Sequence, residues 1–172
     1  MKNKLAQFIL DDAVTTVCKK VDLSEVKGKR ILITGASGMV GLYLLACLKF
    51  LSEQFPNSFE TIAVVHSEPA EYLKELLDYN GGRFIQGDLT DYNFCVSLPK
   101  ADYIIHAAGY AQPGRFMKNP DKTFKINTCT TANLLENLNK NGKFLFISSS
   151  EVYSGLSGGA FQESQIGNSN TT

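Results

Sequence analysis

The apolar residues of this chain fall in short blocks that are separated by polar or glycine-rich stretches. Five blocks are rich in β-branched and aromatic residues and are bounded by turn residues, which predicts strands. These strands are expected at residues 31–34, 60–65, 84–86, 103–105 and 144–147. Apolar positions at helical spacing predict helices from about 39 to 51, at 68–79, at 91–98 and from 119 to about 139. Alternating strands and helices are typical of a parallel sheet covered by helices on both faces.

A glycine-rich turn follows the first predicted strand, with the sequence GASGMVG at residues 35–41. In a dinucleotide site, the first glycine permits the sharp turn, the second lets the backbone approach a pyrophosphate, and the third lets the helix pack closely. The N-terminus of the helix adds free N–H groups and the positive end of the helix dipole. An ordinary tight strand-to-helix turn is the alternative interpretation. The candidate cofactor-binding residues here are Gly35, Ser37, Gly38, Met39, Val40 and Gly41.

The position of this turn also predicts the topology. With right-handed crossovers, the expected strand order is 3-2-1-4-5, the doubly wound (Rossmann) α/β sheet. Ligands bind such a sheet at the carboxyl ends of the strands, between the first and the fourth. Because such domains commonly have about six strands, the chain is expected to be cut short before the last strands and a substrate domain. Candidates at the other strand ends are Asp88, Leu89, Ala107, Ala108, Gly109, Ser148 and Ser149.

The two ends of the chain differ from the middle. Residues 1–28 are predicted to form a helical extension, whose apolar stripe packs on the outside of the domain spanning 29–153; a partner-binding helix is the alternative. Residues 154–172 are rich in Gly, Ser, Asn and Thr and are expected to be a flexible tail. The stripe comprises Leu5, Phe8, Ile9, Ala13, Thr16 and Val17.

Composition narrows the classes of function. The chain has 172 residues, a length typical of one domain, with 17 basic and 17 acidic side chains. Because the charges balance, no net positive electrostatic field is expected to attract nucleic acid or an acidic membrane. No apolar run in the sequence has membrane-spanning length. The four cysteines are scattered, which is typical of reduced thiols in a cytoplasmic protein. With only two histidines, His66 and His106, and no ligand cluster, no metal site is expected.

Five motifs occur in order along residues 29–153: ILITGASGMVG, GDLTD, HAAG, NPDKTFKINTCTTANLLENL and FISSSEVY. Together they resemble the extended short-chain dehydrogenase/reductase family, the nucleotide-sugar epimerases and dehydratases. The resemblance implies NAD as cofactor, with NADP not excluded. It implies that Asp88 caps the adenine ring and that Leu89 lies beside this ring. It also implies that residues 107–109 lie along the nicotinamide end of the cofactor. Asn127 lies at the family's helix asparagine, and Ser148 precedes the strand-five catalytic position.

The same resemblance implies a chemistry. Ser149, four residues before Tyr153, would hold the reacting sugar hydroxyl. Glu151 lies in an SEV triplet like that of UDP-glucuronate decarboxylases and could act as a general acid or base. A solvated loop carboxylate is the alternative for Glu151. A nucleotide sugar is the implied substrate of the full-length protein. Whether the protein forms a homodimer is left open by the sequence.

Two features depart from the family pattern. The family's base is a Tyr followed by Lys at +4, but Ser157 stands four residues after Tyr153, and no Lys follows it. At the end of the second strand, where NAD users commonly carry an Asp for the ribose, this chain has His66, and Glu68 could substitute. The sequence therefore predicts the NAD(P)-binding part of a nucleotide-sugar epimerase, dehydratase or decarboxylase that is inactive alone. The alternative is a non-catalytic NAD(P)-binding or sensor module.

Overall fold

Five parallel strands form one sheet in the order β3-β2-β1-β4-β5 in the computed structural model, which describes residues 3–110 and 112–167. The predicted doubly wound topology is thereby confirmed. The strands are β1 (Arg30–Thr34), β2 (Glu60–Val65), β3 (Gly82–Gln86), β4 (Ala101–His106) and β5 (Leu138–Phe146).

Helices connect the strands and cover both faces of the sheet. They are α1 (Lys4–Ala13), α2 (Met39–Gln54), α3 (Glu71–Leu76), α4 (Tyr92–Ser97), α5 (Pro113–Phe116), α6 (Pro120–Asn127) and α7 (Cys129–Glu136). A π-helical turn, Val14–Cys18, extends α1, and short 3-10 turns occupy Ser24–Val26 and Ser150–Tyr153. The third helix is shorter than the predicted 68–79, because the chain after Pro69 is extended until Ala70.

Alternate strand residues supply the two halves of the core. Ile31 and Ile33 of β1 pack in one cluster with side chains of α1, α2 and α3. Leu32, between them in sequence, packs in a second cluster with residues of α4 and α7, including Cys95 and Leu134. This alternation follows from the two-residue period of a strand, and it explains why strands buried on both faces are continuously apolar.

The N-terminal helix lies against α2, but its buried face is not the predicted stripe. Ile9 and Ala13 are buried as expected, whereas Leu5 and Phe8 are exposed, Phe8 by 65%. The buried line instead includes Ala6, because small side chains let α1 approach the sheet-covering helices closely. The prediction for Val17 was wrong in the same way, since it lies on the exposed side of the π-helical turn.

The predicted helix from 119 to about 139 is two helices. The chain bends at Thr128, whose φ of −117° and ψ of −70° separate α6 from α7. The hydroxyls of Thr128 and Thr131 donate to the carbonyls of Phe124 and Asn127, an arrangement that bends helices.

Helix α7 also ends earlier than predicted. Asn137 terminates it by donating its side-chain amide to the carbonyl of Cys95 at 2.7 Å. The chain then joins β4 at Leu138, and Asn141, predicted to end the helix, lies inside β5 with a φ of +66°. The register between β4 and β5 shifts there, between Ala101 and Tyr103.

The strand β5 lies at one edge of the sheet. Three consecutive apolar residues at its end, Leu145, Phe146 and Ile147, are exposed by 52%, 37% and 38%. Residues 154–167 form turns and irregular chain, and Tyr153 stacks on Phe161 with ring centroids 5.4 Å apart. Residues 168–172 of the predicted flexible tail lie outside the described residues.

Candidate functional site

The glycine turn is pressed between the end of β4 and the start of α2. Gly35 has a φ of +70°, and a Cβ there would lie 2.5 Å from the carbonyl carbon and oxygen of Ala107. A Cβ on Gly41 would overlap the carbonyl oxygen of Gly35 and lie 2.6 Å from the Cα of Ala36. Both positions therefore require glycine, the first for the turn and the second for the close approach of α2.

The N-terminus of α2 follows this turn directly and is exposed. Gly38 is the N-cap residue in extended conformation, and its N–H donates to the carbonyl of Gly35 at 2.9 Å. Among the described residues, no side chain caps this helix. Met39 and Val40 of the first turn are exposed, and a Cβ on Gly38 would meet only the Gly35 oxygen, at 3.2 Å. The first-turn N–H groups and the dipole of this 16-residue helix thus form a site that suits a phosphate.

Asp88 follows β3 and is held by its own loop. The backbone N–H and the hydroxyl of Thr90 donate to Asp88 Oδ1 at 2.9 and 2.7 Å. The ammonium of Lys122 lies 3.8 Å from Oδ2. These hydrogen bonds to Thr90, with smaller contributions from Lys122 and His66, hold the pKa of Asp88 below its usual range. Asp88 is therefore an ionised, partly exposed carboxylate at neutral pH.

Leu89 differs from its neighbour because its side chain belongs to the core. It is 8% exposed and packs in the cluster of α4 and α7. Its carbonyl accepts hydrogen bonds from the Thr130 hydroxyl at 2.6 Å and from the Cys95 thiol at 3.0 Å. The residue implied to lie beside an adenine ring thus anchors the loop to two helices.

A buried polar chain lies under the glycine turn, and sequence reasoning missed its first member, Thr34. The Thr34 hydroxyl lies 2.6 Å from His106 Nδ1, and His106 Nε2 lies 2.8 Å from the carbonyl of Ile126. Since a carbonyl only accepts, Nε2 carries the proton and Nδ1 accepts from Thr34. The Ala108 N–H in turn donates to Thr34 Oγ1 at 3.4 Å. The available signal was a polar residue at the end of an otherwise apolar strand.

His106 is 1% exposed, and burial lowers its pKa, with the hydrogen bond to Ile126 opposing that shift. The imidazole is therefore neutral at pH 7. Its ring also meets Phe146 edge-on, with centroids 5.5 Å apart. His106, at the end of β4, thus has a structural role, because its side chain contacts residues of β1, β5 and α6.

The ends of β4 and α6 meet at a second candidate cluster. The Ala107 N–H donates to the Thr34 carbonyl at 3.2 Å, which continues the pairing of β4 with β1. A Cβ on Gly109 would lie 3.8 Å from Asn127 Oδ1, so these two predicted residues are close. The Asn127 amide donates to the Thr123 carbonyl at 2.9 Å.

The predicted catalytic residues follow β5. Ile147 N–H donates to the His106 carbonyl at 3.0 Å, and Ser148 follows as an exposed residue beyond the end of β5. The Ser149 hydroxyl oxygen accepts from the Glu151 N–H at 3.2 Å and caps the short 3-10 turn. Because β4 separates β5 from β1, Ser149 and Glu151 lie two strands from the glycine turn.

The described residues contain neither a cluster of metal ligands nor a helix that could span a membrane. Within residues 3–110 and 112–167, no three His, Cys, Asp or Glu side chains are grouped so as to hold a metal ion. In the same part of the chain, no helix combines the length and the apolar character needed to cross a bilayer.

The strand order, the two required glycines and the uncapped helix define a doubly wound domain of the dinucleotide-binding class. The sequence model of the NAD dependent epimerase/dehydratase family matches residues 31–171. The chain therefore belongs to that family, and the expectation of NAD as cofactor is confirmed.

Individual relatives agree with this assignment. The chain is 31% identical over 135 residues to UDP-glucuronic acid decarboxylase 1 of Danio rerio, covering 76% of this chain and 30% of that protein. It is 30% identical over 134 residues to UDP-glucose 4-epimerase of Pisum sativum, with coverages of 73% and 38%. The crystal structure of UDP-glucose-4-epimerase from Stenotrophomonas maltophila, with bound NAD and formylated UDP-arabinopyranose, superimposes with a TM-score of 0.62 at 22% identity. That match covers 81% of this chain and 43% of the other, so the chain spans less than half the length of these three proteins.

Proposed function

We propose that this chain is the NAD-binding part of a nucleotide-sugar epimerase, dehydratase or decarboxylase. The observation that carries the proposal is the glycine cradle, the turn of residues 35–41. Gly35 and Gly41 leave no room for a Cβ, and a Cβ on Gly38 would meet the Gly35 carbonyl oxygen alone, at 3.2 Å. The backbone there meets the uncapped start of α2, which supplies N–H donors and a positive dipole end to a pyrophosphate.

We assign the other candidate residues to parts of the cofactor according to their positions around the glycine cradle. Residues 35–41 would bind the pyrophosphate, with Ser37, Met39 and Val40 at its rim. The ionised Asp88 would accept a hydrogen bond from the adenosine, with Leu89 fixing the loop in place. Ala107, Ala108, Gly109, Asn127 and Ser148 would lie along the nicotinamide side.

The proposed reaction is a transient oxidation of a sugar carbon. NAD supplies the hydride acceptor when it is bound. The Ser149 hydroxyl would hydrogen-bond the reacting sugar hydroxyl, and Glu151 would move a proton near the sugar carbon. The decarboxylase and epimerase among the relatives support a nucleotide sugar as the substrate class of the whole protein.

Binding of NAD tests the cradle directly. Calorimetric titration is expected to show NAD binding to the wild-type chain and no detectable binding to Gly38→Val, whose side chain would occupy the pyrophosphate position. Gly159→Val is the matched control, because a Cβ on Gly159 meets nothing within 4 Å and its loop lies outside the site. A folded Gly38→Val variant with wild-type affinity would contradict the proposal.

A further inference from the structure

The segment after β2 lies between two parts of the proposed cofactor site. Val64 pairs with Thr34, which precedes the glycine turn, and Val65 pairs with Gln86, which precedes the Asp88 loop. The N–H of Gly87 donates to the Val65 carbonyl at 2.9 Å, so the two loops leave the sheet side by side. His66, the first residue beyond β2, is exposed at this place.

This position decides which dinucleotide a doubly wound domain accepts. A carboxylate about 20 residues after the glycine turn hydrogen-bonds the adenosine ribose of NAD and repels the 2′-phosphate of NADP. In this chain His66 and Ser67 occupy the position. Both side chains can donate a hydrogen bond, and neither carries a negative charge.

Glu68 is the one carboxylate in the 66–68 segment, and it has another partner. Its Oε1 lies 2.8 Å from the ammonium of Lys74, which also lies 3.2 Å from Glu71 Oε1. These contacts pair the Glu68 carboxylate with Lys74 of α3 at an exposed position.

Basic side chains lie beside the Asp88 carboxylate, while Asp91 follows in the same loop, where its carboxylate accepts from the Asn93 N–H and caps α4. The Lys122 ammonium lies 3.8 Å from Asp88 Oδ2, with half of its side chain exposed. His66 also lies near enough to Asp88 to favour its ionised form. A phosphate entering beside His66 would therefore meet two basic side chains and one carboxylate that already has three donors around it.

We infer that this chain accepts NADP about as well as NAD, with His66 and Ser67 as the residues that set this specificity. The inference rests on the proposed function, because it places the adenosine ribose of the cofactor beside the end of β2.

Parallel titrations of the wild-type chain with NAD and NADP test the inference. The dissociation constant for NADP is expected to lie within about tenfold of that for NAD. In His66→Asp, the new carboxylate at the end of β2 would repel the 2′-phosphate, so we expect the preference for NAD to rise by at least about tenfold. Circular dichroism and thermal melting would establish that the variant is folded.

Glu68→Gln is the matched control. If Glu68 stays with Lys74, this variant leaves the ratio of the two dissociation constants unchanged. A wild-type preference for NAD of more than about tenfold, or a ratio unaltered in folded His66→Asp, would overturn the inference. A loss of NAD affinity in Glu68→Gln would overturn it too, by making Glu68 the ribose ligand. Binding of NAD with rejection of NADP would leave the proposed function intact, whereas binding of neither would remove both.

Discussion

The Thr34 hydroxyl donates a 2.6 Å hydrogen bond to His106 Nδ1, and this contact joins the ends of β1 and β4 directly beneath the glycine turn. The same oxygen accepts from the Ala108 N–H, so one buried side chain fixes both the imidazole and the backbone that the turn packs against. The geometry of the cradle therefore depends on a residue that would not itself touch the cofactor.

Removal of this hydroxyl is expected to destabilise the domain. Thr34→Val keeps the shape but leaves the buried His106 Nδ1 without a partner, at a cost of about 1–3 kcal/mol. It also removes the acceptor of the half-buried Ala108 N–H. Urea unfolding would measure the loss in free energy of unfolding. Thr34→Ser retains the hydroxyl and is expected to lose much less, and equal losses in the two variants would contradict the role of the hydrogen bond.

The buried His106 predicts a pH dependence of stability. Burial lowers its pKa in the folded state below the unfolded value of about 6.5. The unfolded chain therefore binds more protons between these two values, and stability falls as the pH drops through about 6.5 toward the folded pKa. Four carboxylates of the described residues have a lowered pKa and lose their contribution only at more acidic pH, namely Asp22, Glu60, Asp88 and Asp102.

Thermal melting between about pH 8 and 5 would test this. The decline in melting temperature below about pH 6.5 is expected to be smaller in His106→Gln, after allowance for its lower starting stability. His66→Gln is the control, since His66 is exposed and its removal should leave the slope in place. A slope that disappears with His66 instead would contradict the assignment.

The N-terminal helix offers a paired test of its packing. Ile9 is buried in the core cluster shared with α2 and α3, whereas the larger Phe8 is 65% exposed. Ile9→Ala is expected to lower the free energy of unfolding by about 2–4 kcal/mol. Phe8→Ala should change it by no more than about 0.5 kcal/mol. Chemical denaturation would measure both, and a larger effect at Phe8 would contradict the observed orientation of α1.

The chain by itself is expected to be catalytically inactive. Tyr153 stacks on Phe161, and Ser157 stands where the family pattern has a lysine, so this stretch does not form the Tyr–Lys pair that acts as the family's base. The chain also spans less than half the length of the three proteins compared above. Incubation with NAD and UDP-, GDP- and dTDP-sugars should give no NADH absorbance and no new sugar. Turnover that is lost in Ser149→Ala would contradict this.

The sequence predicted the sheet because its signals are local. Apolar runs marked the strands, and the glycines of residues 35–41 marked the switch point, so the strand order followed from general rules of handedness. The division of the 119–139 helix could not be predicted in this way. The division lies at Thr128, where threonine hydroxyls bond to helix carbonyls and neither glycine nor proline marks the break. The early end of α7 depends on Asn137, whose side chain reaches Cys95, 42 residues earlier in the chain.

Side-chain burial was harder to predict for a related reason. On α1 helical spacing predicted a stripe that included Leu5 and Phe8 beside Ile9 and Ala13. The structure buries Ile9 and Ala13 but has Ala6 as their buried neighbour. The contact between Thr34 and His106 spans 72 residues, and no spacing rule connects two positions so far apart. The roles of Ser149 and Glu151 stay predictions.

The exposed edge of β5 has a practical consequence. An unpaired strand edge presents N–H and C=O groups to any other extended chain, and exposed apolar residues at 145–147 would add to such pairing. Self-association through this edge would be a second-order process, so we expect it to increase as the protein is concentrated. Light scattering across a dilution series would define the concentration range in which a titration reports on single molecules.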